Sequence, residues 1–260
     1  MPASSPVARP NPRRRASLAG VAILAALLVP ASASAWSPGQ GAAAQVRAGL
    51  TPAELRPPIV RKFIPFPRLR QEEMAAYSLR HYGDSTWVLS DPRVIVEHFT
   101  TSHQMMDAWW YFAGNTPARG EMPGVCSHFL LDTDGTIYQV MPLGIRCRHA
   151  TGLNDTAIGI EDVGVSDEEI LANPAMMESS LRLTLWLMAR FDIEVRNVIG
   201  HNEIIFSPFH HDLVPRFRCM RHSDWSRAHM RIYRRMLKER ARAAGVPIGD
   251  PPAWVERPDC

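Results

Sequence analysis

The strongest constraint on the fold is the alternation of strand-like and helix-like segments along the chain. Residues 93–100, "RVIVEHFT", are β-branched and apolar, which predicts a buried strand, and residues 157–165, "AIGIEDVGV", predict another. Residues 175–191 have the length and the apolar pattern of a helix. Because strands and helices are interspersed along the chain, we predict an α/β layer architecture.

The remaining elements follow from the same patterns. Asp134-Gly135, a strong turn dipeptide, lies between two strand-like runs and predicts a β-hairpin. Residues 195–201, "VRNVIGH", predict a short strand that ends in His201. Residues 36–60 are rich in Pro, Gly and Ala and are predicted to be a flexible lead. Further helices are predicted over 70–82, 103–113 and 224–243.

Residues 1–35 have the pattern of a secretory signal peptide. A basic start, "RPNPRRR", precedes the apolar run "ASLAGVAILAALLVP", and "ASASA" offers a small-residue cleavage site ending at Ala35. The apolar run is shorter than the ~20 residues that a membrane span needs, although an uncleaved anchor remains the alternative. We therefore predict a secreted or cell-envelope protein without stable membrane insertion after cleavage.

Removal of the signal peptide changes the net charge. The whole chain has 29 basic and 26 acidic side chains, and the predicted signal peptide contains four of the arginines and no acid. The mature chain would therefore be close to neutral. Nucleic-acid binding usually requires a basic domain, so no nucleic-acid partner is predicted. The sequence does not predict an oligomeric state.

Export would place the four cysteines in an oxidising compartment. Three pairings are possible, and we favour Cys126 with Cys147 because they bracket the predicted hairpin. Cys219 would then pair with Cys260 and tie down the C-terminus. Free buried thiols are the alternative. A four-cysteine zinc site is disfavoured, because no two cysteines have the short spacing that such sites use.

Two histidines end β-branched strands, His98 after "VIVE" and His201 after "NVIG". Two such histidines and a third ligand can hold zinc while leaving a position open for water. Asp224 is a candidate third ligand, although Ser223 or Asp224 could instead cap the last helix. The competing candidates lie in "SPFHHDL" and are His210, His211 and Asp212.

Glu161 lies inside an apolar strand segment, where a lone charge is costly. It is either paired structurally or placed in a site as an acid or base. The sequence has no G-x-S-x-G, no P-loop, no G-x-G-x-x-G and no H-E-x-x-H motif. A serine or cysteine nucleophile is therefore not indicated.

Taken in order, several segments resemble one known family: "VIVEHFT", "SHFLLDTDGTIYQVMP", "RHATGLNDTAIGIEDVG", "NVIGHNEI" and "HSDW". Over about residues 88–238 the chain is similar to the zinc-dependent N-acetylmuramoyl-L-alanine amidases of the type-2 amidase and peptidoglycan-recognition family. The resemblance implies a mixed central β-sheet flanked by helices, in a single catalytic domain. It also implies hydrolysis of the amide between the N-acetylmuramoyl lactyl group and the L-alanine of a peptidoglycan stem peptide.

The resemblance assigns roles to individual residues. His98, His201 and Asp224 match the ligands of one zinc ion, and Glu161 matches the glutamate that orients or deprotonates the attacking water. His222 stands where many relatives carry a lysine that steadies the oxyanion. The 23-residue span from His201 to Asp224 is longer than in compact relatives, which leaves His211 or His222 as an alternative third ligand.

The resemblance also places His149 and Asn154 in the substrate cleft, and His128 either there or in a structural role. The predicted domains are a signal peptide (1–35), a partly flexible N-terminal extension (36–84), a zinc amidase domain (85–245) and a C-terminal tail (246–260). A non-catalytic peptidoglycan-binding module and a zinc hydrolase of another amide are the competing functions.

Overall fold

The computed structural model describes residues 49–250, 254–256 and 260, so the predicted signal peptide and most of the lead lie outside the described residues. The strands are β1 Val60–Arg61, β2 Val94–Phe99, β3 Phe129–Leu131, β4 Ile137–Gln139, β5 Ala157–Asp162 and β6 Val198–Gly200. The α-helices are α1 Pro52–Leu55, α2 Arg68–Tyr82, α3 Met105–Ala113, α4 Asp167–Ala172, α5 Pro174–Phe191 and α6 Arg227–Ala244. Short 3₁₀ turns cover Val195–Asn197, His201–Phe206 and Pro215–Phe217. Within the described part of the chain, no helix combines the length and apolarity that a membrane crossing requires.

The six strands form one mixed sheet in the order β1-β4-β3-β5-β2-β6. Neighbours pair in parallel, except for the antiparallel pair of β3 and β4. That pair is the predicted hairpin, and Gly135 adopts a φ of 86° in its turn, a conformation that glycine reaches without steric cost. The predicted mixed sheet flanked by helices is confirmed.

The two faces of the sheet have different partners. On one face, Glu97 of β2 accepts hydrogen bonds at 3.0 Å from the hydroxyls of Thr184 in α5 and Tyr233 in α6. These two helices therefore cover that face. Because successive strand residues point to opposite faces, Val96 and His98 project to the other side, where Val96 joins a second, smaller apolar cluster. The candidate site is built on this second face.

Burial raises the pKa of Glu97 to about 7, against an ordinary value of 4.5, and its bonds to Thr184 and Tyr233 oppose the shift. A carboxyl group with a raised folded-state pKa favours the folded state most at low pH. That contribution is fully present below about pH 4.5 and is lost as the pH rises through 7.

Glu97→Gln is therefore expected to become more stable relative to the wild type as the pH rises. The glutamine keeps an acceptor for Thr184 and Tyr233 but never ionises. The difference in free energy of unfolding between the two proteins is expected to change by on the order of 3 kcal/mol between about pH 4.5 and 8. Urea unfolding across this range measures it, and a difference that stays constant with pH would contradict a buried, raised pKa.

Residues 60–82 are integrated into the sheet domain. β1 pairs with β4 at the edge of the sheet, and α2 packs with a fully buried Tyr77. The guanidinium of Arg70, only 1% exposed, donates to the carbonyl oxygens of Phe112 at 2.8 Å and Val125 at 3.3 Å. This part of the segment predicted as an N-terminal extension thus supports the loops around the site.

The C-terminal part is fixed by a helix cap and by a disulfide. Ser226, rather than Ser223 or Asp224, caps α6 by accepting a hydrogen bond from the backbone N–H of His229. Both favoured disulfides are present, Cys126 with Cys147 and Cys219 with Cys260. The second bond ties the chain end to the loop that precedes Asp224.

Candidate metal centre

Three parallel strands bring three chemically active side chains to one edge of the sheet. In the pairing of β2 with β5, His98 lies opposite Glu161. In the pairing of β2 with β6, Glu97 lies opposite Gly200, so that His201 follows directly beside His98. The imidazole ring centres of His98 and His201 are 4.3 Å apart. The carboxyl ends of parallel strands are where open α/β sheets bind ligands.

The loop before α6 adds Asp224 to this edge. The backbone N–H of Asn202 donates to the Asp224 carbonyl oxygen at 2.9 Å, and the buried Trp225 indole donates to the His98 carbonyl oxygen at 3.1 Å. A Cβ on Gly200 would lie 2.0 Å from the Trp225 carbonyl oxygen. The loop can therefore pack this closely against β6 only because residue 200 is glycine.

His98, His201 and Asp224 offer donor atoms that all lie within 4.8 Å of one another. Oδ2 of Asp224 is 3.3 Å from Nδ1 of His98 and 2.9 Å from Nδ1 of His201. Zinc bonds of 2.0–2.2 Å in a tetrahedral arrangement separate neighbouring donors by about 3.4 Å. The donor set, two imidazoles and a carboxylate, and its spacing therefore fit a zinc ion.

The charge state of Asp224 also suits a cation. Burial alone would raise the pKa of its carboxyl group, but the charges and hydrogen bonds of His201 and His98 outweigh burial and hold this pKa well below its usual range. The carboxylate is therefore ionised at every pH at which the protein would work.

His149 contacts His98 and determines which ring nitrogen of His98 carries a proton. Nε2–H of His149 donates to the carbonyl oxygen of Ala157 at 3.3 Å, which leaves Nδ1 of His149 as an acceptor. Nε2 of His98 lies 3.0 Å from that atom and donates to it. In the neutral imidazole of His98, Nδ1, which faces Asp224, then carries the lone pair that a metal ion needs. A second residue that sets the tautomer of a ligating histidine typically raises metal affinity.

His149→Phe is expected to weaken zinc binding by about 10–100-fold, because it removes the acceptor that fixes the His98 tautomer. Competition with a chromophoric chelator measures the affinity. His211→Phe, the same change at a half-exposed histidine, is the control and should bind zinc like the wild type. Equal zinc affinity of the two variants would show that the contact between His149 and His98 does not support zinc binding.

Glu161 and His222 flank the donor set. Burial raises the pKa of Glu161 to about 7; the charge of His98 opposes this shift and that of Asp224 adds to it. The His222 ring stacks on His201, with ring centres 3.4 Å apart. Burial, and then the charge of His201, lower the pKa of His222 to about 3, so its imidazole is neutral at neutral pH.

These side chains line a cleft of about 860 Å³. His98, Glu161 and His201 form its floor, and loop residues such as Thr101 and Arg119 contribute to its walls. The wall is further lined by Tyr111, Pro117, Arg148, His149, Thr151, His222 and Asp224. The structure thus brings the proposed ligands, Glu161, His149 and His222 together around one space.

His128 and Asn154 are not among the cleft residues, and the structure gives each another role. His128 is fully buried; Nδ1 accepts from the Gly159 N–H at 3.0 Å and Nε2–H donates to the Ile145 carbonyl oxygen at 2.9 Å. With both ring nitrogens bound to backbone, it has no atom left for a substrate. These contacts favour the structural role, which the sequence left open beside a substrate contact of His128.

Asn154 holds the loop that carries His149. Its Oδ1 accepts from the backbone N–H groups of His149 at 2.9 Å and Ala150 at 2.7 Å, while Nδ2 donates to the hydroxyl of Tyr77. It is 1% exposed. The structure thus gives Asn154 a positioning role, while its predicted substrate contact stays a prediction.

The competing ligands in "SPFHHDL" do not reach the cleft. His211 pairs with Asp155 at 3.5 Å, and Asp212 accepts from His81 at 2.8 Å. His210 packs against Gly152. Within the described residues, the converging donor group contains Asp224 and none of these three.

Sequence reasoning missed the supports of the site. Tyr77 and Tyr82 of α2 hold Asn154 through their hydroxyls, at 3.1 and 3.3 Å. Trp225 and Gly200 hold the Asp224 loop. The glycine directly before His201 was the one sequence signal that could have indicated this close approach. No local pattern links two tyrosines to an asparagine more than 70 residues downstream.

The site combines two histidines and a glutamate at the carboxyl ends of parallel strands with an aspartate from the loop before α6. Such a set defines a candidate metal-dependent hydrolase. Residues 89–244 match the family model described as N-acetylmuramoyl-L-alanine amidase. This is more than half of the chain, and the protein belongs to the type-2 amidase family. The resemblance identified from the sequence motifs is confirmed.

Solved structures with similarity to the chain carry related names. The amidase LysC from Clostridium intestinale URNW is 26% identical, over 56% of this chain and 83% of that one, with a TM-score of 0.40. AmiD from E. coli, in complex with its substrate anhydro-N-acetylmuramic acid-L-Ala-D-gamma-Glu-L-Lys, is 26% identical over 44% and 50%, with a TM-score of 0.34. Apis mellifera PGRP-SA is 16% identical over 56% and 85%, with a TM-score of 0.41. No protein of curated function matches the sequence significantly.

Proposed function

We propose that the protein is a zinc-dependent amidase that cleaves the bond between the N-acetylmuramoyl lactyl group and the L-alanine of peptidoglycan stem peptides. The observation that carries the proposal is the convergence of the donors of His98, His201 and Asp224 in one cleft, with Glu161 in register beside His98. Membership of the amidase family supplies the substrate class.

His98, His201 and Asp224 would hold the zinc ion. When bound, zinc supplies a Lewis acid that polarises a carbonyl and lowers the pKa of water to about 7. The two histidines would act through Nδ1, and the contact with His149 would favour the His98 tautomer in which Nδ1 is unprotonated. Asp224 contributes the anionic ligand.

Glu161 is the proposed general base. It lies beside His98 on the next strand and lines the cleft. Its pKa of about 7 matches the task, because a group poised near the working pH can both accept a proton and return it. We propose that Glu161 takes the proton of the attacking water and passes it to the leaving amine.

His222 is the proposed oxyanion donor. Its ring is neutral and stacked on His201, and Nε2 is buried without a hydrogen-bond partner among the described residues. An N–H at this position can donate to the oxygen that becomes negative during attack. Arg119, exposed on the cleft wall, is suited to bind a carboxylate of the stem peptide.

We further propose that the protein works outside the cytoplasm, in the cell envelope or as a secreted enzyme. The signal-peptide pattern of residues 1–35 supports this location. The two disulfides, Cys126–Cys147 and Cys219–Cys260, add a second argument, because such bonds persist in oxidising compartments.

Incubation of the purified protein with soluble muropeptides tests the activity. Mass spectrometry should detect free stem peptides that begin with L-alanine, together with the released muramoyl sugar. The products should disappear on treatment with a chelator and return on addition of zinc.

Two outcomes would overturn the proposal. Zinc-dependent binding of muropeptides without any cleavage would indicate a non-catalytic recognition protein. Release of a different fragment would show that the enzyme cuts another amide.

A further inference from the structure

The last helix concentrates positive charge. α6 contains seven of the chain's 29 basic side chains and one of its 26 acidic side chains. Without this helix the remainder of the chain would be net acidic. An asymmetry of this size, confined to one element, creates a local positive potential that the overall charge does not reveal.

Five of these cations lie on a single face of the helix: Arg227, Arg231, Arg235, Lys238 and Arg242. We call this set the cationic stripe. At 3.6 residues per turn its members fall within about a quarter of the helix circumference and extend for about 22 Å along the axis. Arg231, Arg235, Lys238 and Arg242 have no ion-pair partner among the described residues.

The stripe forms one side of a groove of about 560 Å³. Trp254, from the C-terminal tail, forms the other side and lies 4.4 Å from the guanidinium carbon of Arg227. The tail is held there by a hydrogen bond from the Val255 N–H to the Phe206 carbonyl oxygen at 3.0 Å. Arg234 lies at the floor, where its charge is neutralised by buried Glu203 at 3.0 Å.

The geometry points to a binding groove for a linear phosphodiester polymer of the polyol-phosphate type. Stripe residues four positions apart are separated by about 6 Å along the axis, which suits an extended chain with a phosphate in every repeat. Arginine, four of the five stripe residues, presents a planar fork that matches phosphate oxygens. The groove would hold the enzyme on an anionic envelope polymer.

The lining of the groove distinguishes this ligand from two other polyanions. Single-stranded nucleic acids bind where several aromatic rings stack successive bases, whereas one aromatic ring, Trp254, lines this groove. A helix that binds a bilayer presents large apolar side chains next to its cations. Trp254 instead packs on Phe206 and Arg227, and among the described residues no other large apolar side chain lines the groove.

The groove is distinct from the metal centre, and none of the stripe residues lines the catalytic cleft. Binding in the groove therefore does not depend on the proposed amidase chemistry. A failure of one proposal leaves the other intact, because polymer binding is measured without turnover.

Fluorescence polarisation of the full chain with a labelled oligo(glycerol phosphate), long enough to span the stripe, tests the proposal. Arg231→Glu/Arg235→Glu is expected to weaken binding at least tenfold and to reduce the slope of log affinity against log salt by about two or more. The control is Arg61→Glu/Arg182→Glu, which makes the same charge change at exposed positions elsewhere and should stay within about twofold of the wild type.

Arg231→Gln/Arg235→Gln provides a milder variant in case charge reversal impairs folding, and it should also weaken binding. Turnover of a soluble muropeptide should be unchanged in both stripe variants. If the stripe and control variants weaken polymer binding equally, the net charge of the protein explains the loss. That result would overturn the proposal. Tighter stripe-dependent binding of a single-stranded oligonucleotide, or of phosphatidylglycerol vesicles, would overturn it as well.

Discussion

Replacement of Asp224 by alanine is expected to remove the metal and, with it, the activity. Asp224 is the anionic donor of the proposed set, and its Oδ2 lies within 3.3 Å of the Nδ1 atoms of both His98 and His201. Without it, the imidazoles of His98 and His201 remain as the only donors of the set. Loss of a direct ligand should cost more than the roughly 10–100-fold that loss of a supporting residue costs in affinity. Zinc content after dialysis and muropeptide turnover measure the two effects.

The controls separate ligand loss from unfolding and from the competing ligand assignments. Asp224→Asn keeps the shape of the side chain but loses the charge, so it should fold and still bind zinc poorly. His211→Ala should keep zinc and activity, since His211 pairs with Asp155 outside the cleft. Full zinc content in Asp224→Ala, together with zinc loss in His211→Ala or His222→Ala, would show that the ligand set is wrong.

The parts of the site carried by strands were the easiest to predict from the sequence. His98 ends a β-branched run and Glu161 interrupts an apolar one, so both patterns are local. What the sequence alone did not contain was the register that places them opposite each other. Parallel strands are joined through long connections, and their alignment is set by the packing of the whole sheet rather than by a turn.

The roles of His128 and Asn154 illustrate the opposite case. Both are polar side chains in the segments that carry the family resemblance, yet neither lines the cleft. Their roles depend on where each polar atom finds its partner: Ile145 and Gly159 for His128, and Tyr77 for Asn154. Buried polar groups almost always find such partners, but the sequence does not show which ones.

Glu161→Gln is expected to lower kcat by about 10²–10⁴-fold, the usual contribution of a general base, without loss of zinc. The change replaces one oxygen by an amide group and leaves His98, His201 and Asp224 in place. Zinc content should therefore equal that of the wild type while stem-peptide release nearly stops. This combination distinguishes a base from a ligand, because Asp224→Ala loses both.

Glu97→Gln is a closely matched control for this experiment. Glu97 and Glu161 lie on neighbouring strands, Glu97 fully buried and Glu161 partly buried, and burial raises the pKa of each to about 7. They differ in the face they occupy, since Glu97 points to α5 and α6 and Glu161 lines the cleft. If Glu97→Gln keeps activity and Glu161→Gln does not, position in the cleft, and not a perturbed pKa as such, makes the carboxylate a base. Retention of activity within about threefold in Glu161→Gln would assign proton transfer to another group.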